Sequence, residues 1–222
     1  MKTSEAGRQE LLPRKFLVML LAVSILTNVV LLVRLKYPNV VQTVLVSLLP
    51  APKVVPNDHV RGNPGAKFTI IEYADFQCPY CAKMHEALKS IIKETDTRWV
   101  FRQFPIPEHP FAAKAAEASE CAGDQGKFWE YSDALFELKA PMAEGTFLKT
   151  AQDLGLDWMV FSVCLNSGKY TQAVTAQHEA GVKNKITGTP TFYLNGKRFD
   201  GFVPVEELKK LMGVKGKKQA EG

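Results

Sequence analysis

The chain reads as an α/β fold interrupted by an inserted all-helical segment and preceded by a membrane-spanning helix. Three observations predict this. Apolar, β-rich runs at Phe68–Phe76 and Trp99–Phe104 flank a helical pattern, and the stretch from Pro110 to about Lys185 is helical throughout. Strand signal then returns in Thr191–Leu194 and Lys197–Asp200, joined by Asn195-Gly196, a strong short hairpin cue. With 222 residues, 46% of them hydrophobic, the chain can bury one good-sized core and carry an appendage. The net charge of +5 is mild, and much of it lies in the tail at Lys209, Lys210, Lys215, Lys217 and Lys218. No basic patch with interleaved aromatics stands out, so no nucleic acid is expected as a partner.

Taken in order, the first fifteen residues are polar and end in Arg14-Lys15. Phe16 to Val33 is then apolar except for Ser24, Thr27 and Asn28, and Arg34 and Lys36 close the run. That length spans a bilayer with little tilt. A cleavable signal has a shorter core and a small-residue site close behind it, whereas Arg34-Leu35-Lys36-Tyr37-Pro38 follows here. The expectation is an uncleaved anchor. Four basic residues (Lys2, Arg8, Arg14, Lys15) precede the span and two follow closely, so the positive-inside bias is slight. The cysteines break the tie: four of them, two poised for exchange, suit an oxidising space outside the cytoplasm.

Tyr37 to Asn63 reads as a linker stiffened by Pro38, Pro50, Pro52 and Pro56. Val41, Val44, Leu45 and Leu48 lie on one face of a short helix within it, either interfacial on the bilayer or an oligomerisation element.

The chemistry concentrates at Phe76-Gln77-Cys78-Pro79-Tyr80-Cys81, where the first strand runs into a helix marked by Met84, Leu88, Ile91 and Ile92. Pro79 falls at the first helical position, where its missing N–H costs nothing. Cys78 is then the N-cap, facing outward, and Cys81 points to the core. Unpaired N–H groups and the helix dipole stabilise a thiolate at Cys78. Such a thiolate is a good leaving group, and a second cysteine three residues on can resolve a mixed disulfide. A structural zinc site needs two more ligands at matched spacing, which Cys121 and Cys164 do not offer. Glu72 shares the strand face of Phe68, Ile70 and Ala74, so burial should raise its pKa and suit it to move the proton of Cys81. Arg98 or Arg102 is the expected charge partner of Glu72, and an ion-paired glutamate without catalytic value is the plainer reading. His85, one turn after Cys81, is expected as a partly buried helix-face residue.

Cys121 and Cys164 face inward in the helical stretch. A bridge between them closes a loop of about 44 residues, worth roughly 4 kcal/mol on the chain-entropy account. Two buried free thiols are the other option.

The segment Phe68–Met212 resembles the DsbA-like thiol:disulfide oxidoreductases of the thioredoxin superfamily, which carry a helical domain inserted into a thioredoxin fold. The matching stretches are Glu72–Cys81 and Thr187-Gly188-Thr189-Pro190-Thr191, and the resemblance covers about two-thirds of the chain. It implies a cis Pro190 against the Cys78–Cys81 pair, with Thr189 offering backbone hydrogen bonds to an extended substrate beside Pro79 and Tyr80. It also implies the proton-transfer role for Glu72. The expected division is a cytoplasmic N-terminus at 1–15, a transmembrane anchor at 16–34 and a Pro-containing linker at 35–63. A thioredoxin-like domain at 64–104 and 187–213, a helical insertion at 105–186 and a disordered tail at 214–222 complete it.

The resemblance implies dithiol–disulfide exchange with unfolded or misfolded secreted proteins, no organic or metal cofactor, and a membrane redox partner. That partner is a quinone-linked oxidase for a disulfide donor and a reductant carrier for an isomerase or reductase. Pro79 between the cysteines favours the donor; Thr189 before the proline resembles the isomerases. Two rivals from other classes remain: a copper carrier using Cys78, Cys81 and His85 as soft ligands, and a chaperone whose helical groove binds unfolded chains.

Overall fold

The computed structural model describes residues 14–37 and 50–214. The expected linker helix at Val41–Leu48, the polar N-terminus before Arg14 and the tail after Val214 lie outside the described residues. The chain divides into two units, Met1–Leu49 and Pro50–Gly222.

In the first unit, helix α1 runs from Arg14 to Lys36, 23 residues. At 1.5 Å per residue that is about 35 Å, enough to cross a hydrocarbon core of about 30 Å. Its polar interruptions are satisfied within the helix: Thr27 Oγ1 and Asn28 Nδ2 both donate to the carbonyl of Ser24, each at 2.8 Å. Charged residues occur only at its ends, as an anchor requires.

The second unit is built on a five-stranded sheet in the order β1-β3-β2-β4-β5. Its strands are β1 (His59–Gly62), β2 (Phe68–Ala74), β3 (Thr97–Gln103), β4 (Thr191–Leu194) and β5 (Lys197–Asp200). Strands β2 and β3 are parallel, joined by helix α2 (Pro79–Glu94); the other pairs are antiparallel. A parallel pair needs a crossover, and the helix after the cysteine motif supplies it. Strand β2 is buried on both faces, which is why it reads as a nearly continuous apolar run. Ile70, Ala74, Trp99, Phe101, Phe192 and Leu194 pack on one side with Met84, Leu88 and Ile91 of α2. Ile71, Tyr73, Val100, Phe104, Ile186 and Tyr193 fill the other side.

Between β3 and β4 the chain forms α3 (Ala112–Gly123), α4 (Phe128–Phe136), α5 (Glu144–Asp153), α6 (Trp158–Asn166) and α7 (Thr171–Lys183). Asp157 caps α6 by accepting from Met159 N and Val160 N. A disulfide joins Cys121 on α3 to Cys164 on α6, with Cα atoms 5.9 Å apart. Helix α8 (Val205–Leu211) closes the unit against α2.

The boundary expected between linker and domain is corrected. His59–Gly62, assigned to the linker on sequence, is an edge strand paired with β3 from His59↔Phe101 to Gly62↔Arg98. Its four residues carry no apolar alternation, and its pairing depends on a β3 edge that exists only in the folded sheet. Gly62 ends the strand with φ +96°, where an added Cβ would sit 2.4 Å from the carbonyl oxygen of Thr97. Upstream of it, Arg102 holds the incoming chain by donating to both Asp58 oxygens and to the carbonyl of Lys53.

Candidate active site

The C-terminal end of β2 delivers the chain into Asp75-Phe76-Gln77 and then the N-terminus of α2. Asp75, fully covered, shapes this bend by accepting from Gln77 N and, across from it, from Ile106 N, both at 2.7 Å. His109 meets the same carboxylate at 2.7 Å, so the loop after β3 is stapled under the cysteines. Cys78 is the N-cap with extended backbone, and Pro79 opens the helix. Strand β4 runs antiparallel to β2 with Tyr73 opposite Thr191, which sets the loop before β4 beside the end of β2. That loop contains the cis Thr189–Pro190 bond, and the Thr189 carbonyl lies 3.3 Å from Cys78 Sγ as acceptor.

The two sulfurs are unequal. Cys78 is 6% exposed and Cys81 fully buried. The Cys81 thiol first, then the Thr189 side chain and the N–H groups of Cys81 and Tyr80, bring the Cys78 pKa down to about 5 against the opposing effect of burial. Burial, and the bond given to Cys78, push Cys81 well up. The expectation that Cys78 faces outward is thus corrected: the residue is buried, with its sulfur against the Thr189 carbonyl. Pro79 and Tyr80 form the open rim, Tyr80 57% exposed.

Glu72 is 1% exposed under the pair, and burial raises its pKa to about 8. Its partner is neither Arg98 nor Arg102. Strand alternation turns both arginines to the opposite face, where Arg98 Nε donates to Thr69 and Arg102 binds Asp58 and Tyr73. Trp99, on the face of Glu72, donates Nε1 to Glu72 Oε2 at 2.9 Å. Glu72 Oε1 and the hydroxyl of Thr189 are buried without partners. His85 is fully buried rather than partly so, its Nε2 2.6 Å from Asp133 on α4. Among the described residues no group of three or more His, Cys, Asp or Glu side chains is placed to hold a metal.

Sequence reasoning missed Trp99, Asp133, Asp75 and His109. The alternation of Trp99 and Phe101 against Arg98 and Arg102 was a usable signal for the first. Asp133 and His109 meet the site only through the insertion and the loop after β3, and the part played by Asp75 shows only once Ile106 and His109 are brought to its carboxylate.

A family model described as Thioredoxin matches residues 54–213. The chain belongs to the thioredoxin family. A helical insertion between β3 and β4 interrupts its thioredoxin-like sheet. A thioredoxin-like oxidoreductase from Silicibacter pomeroyi superposes with a TM-score of 0.66 at 27% identity, over 72% of this chain and 92% of that one. The thiol-disulfide exchange protein alpha-DsbA2 of Wolbachia pipientis gives 0.65 at 20% identity, over 71% and 87% of the two chains. Oxidised BdbD of Bacillus subtilis gives 0.64 at 23%, over 74% and 96%. The last two are likenesses of fold. Among curated proteins, Na(+)/H(+) antiporter NhaA 1 of Salinispora arenicola is 37% identical over 153 residues, 68% of this chain. The chain spans about a quarter of that relative's length (24%). This thioredoxin-family chain thus sets Cys78 and Cys81, both free and unequal, at the head of α2.

Proposed function

We propose that this protein exchanges disulfides with extracytoplasmic protein substrates, most directly as a disulfide donor, while held to the membrane by α1. The observation that carries this is the inequality of the two sulfurs, with Cys78 at a helix N-terminus and its pKa at about 5 beside a buried Cys81. A stabilised Cys78 thiolate favours the reduced form of the pair, so the disulfide form is a strong oxidant. A substrate thiolate attacks Cys78 of the disulfide, Cys81 leaves, and a second substrate thiol completes the substrate's disulfide. Protonated Glu72 supplies the proton that the buried Cys81 thiolate needs, and accepts one when the pair is reoxidised. Thr189-Pro190 and the rim of Pro79 and Tyr80 meet an extended substrate segment. A membrane redox partner, a quinone-linked oxidase in the donor reading, restores the disulfide. The antiport named for the curated relatives is not carried over, because the match covers 24% of that length.

Acid-quenched thiol trapping of the full chain in its native membrane tests this. A mostly oxidised Cys78–Cys81 pair supports the donor. A mostly reduced pair overturns it in favour of an isomerase or reductase fed by a reductant carrier. Loss of exchange on Cys78→Ser is expected in either case; retention of function would overturn the enzyme reading and leave the chaperone.

A further inference from the structure

Glu72 is held by a line of side chains that reaches the protein surface through four separate elements. Glu72 on β2 and Trp99 on β3 share one face of the sheet, since Ile70 stands opposite Trp99 and Glu72 opposite Phe101. The fully buried indole of Trp99 donates to Glu72 Oε2 at 2.9 Å, which leaves the partnerless Oε1 as the oxygen free to exchange a proton. The indole is boxed by two rings: His85 of α2 lies edge-on with centroids 4.9 Å apart, and Trp129 of α4 lies at 4.8 Å. Both rings are tied to one ion pair. His85 Nε2 meets Asp133 at 2.6 Å, Arg61 of β1 grips the same carboxylate at 2.7 and 2.8 Å, and the Arg61 guanidinium sits 5.2 Å from the centre of the Trp129 ring.

We propose that Trp99 is a positioning residue for proton transfer at Cys81, and that His85, Asp133 and Arg61 form the clamp that aims its indole N–H at Glu72. This rests on the exchange function proposed above. In reoxidation, Cys78 is first linked to the partner's sulfur. The proton of Cys81 passes to Glu72 Oε1, the Cys81 sulfur attacks Cys78, the Cys78–Cys81 bond forms, and the partner's sulfur leaves as thiolate. Trp99 favours the carboxylate that receives the proton, because its N–H bonds the charged form more strongly than the neutral acid. The titratable groups facing Glu72 are Cys78 and Cys81 from α2; β4 places Phe192 opposite it. Those facing the clamp are Glu86 and Lys89 from α2 and Glu130 from α4.

The test is single-turnover oxidation of the reduced full-length protein by glutathione disulfide across pH 5 to 10, resolving the mixed disulfide from its closure by Cys81. Trp99→Phe keeps an aromatic ring and removes the donor. The closure step should need a pH higher by about one to two units, the worth of one hydrogen bond to a charged group, while the attack of Cys78 keeps its own profile. Asp133→Asn should shift closure in the same direction by less, and should add nothing on the Trp99→Phe background, since the clamp acts through the indole. An unchanged closure profile in folded Trp99→Phe overturns the proposal. If that variant does not fold, an unchanged profile in Asp133→Asn overturns it. A wild type that forms no mixed disulfide at Cys78 fails the exchange reading itself, a different outcome from closure that proceeds without regard to Trp99.

Discussion

The sulfur of Cys78 and the carbonyl oxygen of Thr189, 111 residues apart in sequence, lie 3.3 Å from each other. The contact fits a thiol, which can donate to the carbonyl, and not a thiolate, which cannot. Ionisation therefore releases Cys78 from Thr189 O, and the buried, partnerless hydroxyl of the same threonine is the donor next to hand.

Replacing that hydroxyl should be felt at the thiolate. Thr189→Val keeps the branched shape and removes the donor, so the Cys78 pKa should rise by about one unit. The pH dependence of alkylation by iodoacetamide reads this directly. An unchanged midpoint would leave the hydroxyl without a part in thiolate stabilisation.

In the wild type, thiolate absorbance at 240 nm should appear with a midpoint near 5, against 9.0 for an ordinary cysteine. The sign follows from a depressed pKa: the thiolate contributes stability to the reduced fold above pH 9, and this is lost as pH falls through 5. Denaturant midpoints of the reduced protein should fall over that window, with the oxidised protein as the control that lacks the titration.

Glu72 has the opposite sign. Its folded pKa of about 8 stands above the ordinary 4.5, so its contribution is full below pH 4.5 and lost as pH rises through 8. The difference is on the order of 5 kcal/mol. Glu72→Gln mimics the protonated acid, so it should flatten this loss and be the more stable protein at pH 9. The same variant should slow closure by Cys81 by about 10²-fold or more, the usual worth of a positioned acid–base group. A variant that closes at the wild-type rate would remove Glu72 from the mechanism.

The Cys121–Cys164 bond spans 43 positions and ties α3 to α6, away from the exchanging pair. Converting both to alanine should cost about 4 kcal/mol by the chain-entropy account and lower Tm by about 10 °C. The turnover of Cys78 and Cys81 should be kept at permissive temperature. A large loss of activity without a fall in Tm would assign the second pair a redox role instead.

Local patterning along the chain sets the elements and the reacting pair. The run Phe68–Ala74, the helical spacing of Met84, Leu88 and Ile91, Asn195-Gly196 and the apolar span of α1 are local patterns, set by burial periodicity and turn chemistry. Pro79 after Cys78 places a cysteine at a helix N-terminus within six residues, so its chemistry was legible without any long-range contact. What each group faces comes instead from long-range packing. Edge strand β1 exists because β3 offers unpaired N–H and C=O groups, not because His59–Gly62 has strand periodicity. Register put Trp99, rather than Arg98 or Arg102, against Glu72, since a period of two sends neighbouring residues to opposite faces. The cover over Cys78 and the reach of Asp133 to His85 come from segments more than 45 residues distant, which only the packing of sheet and insertion brings together.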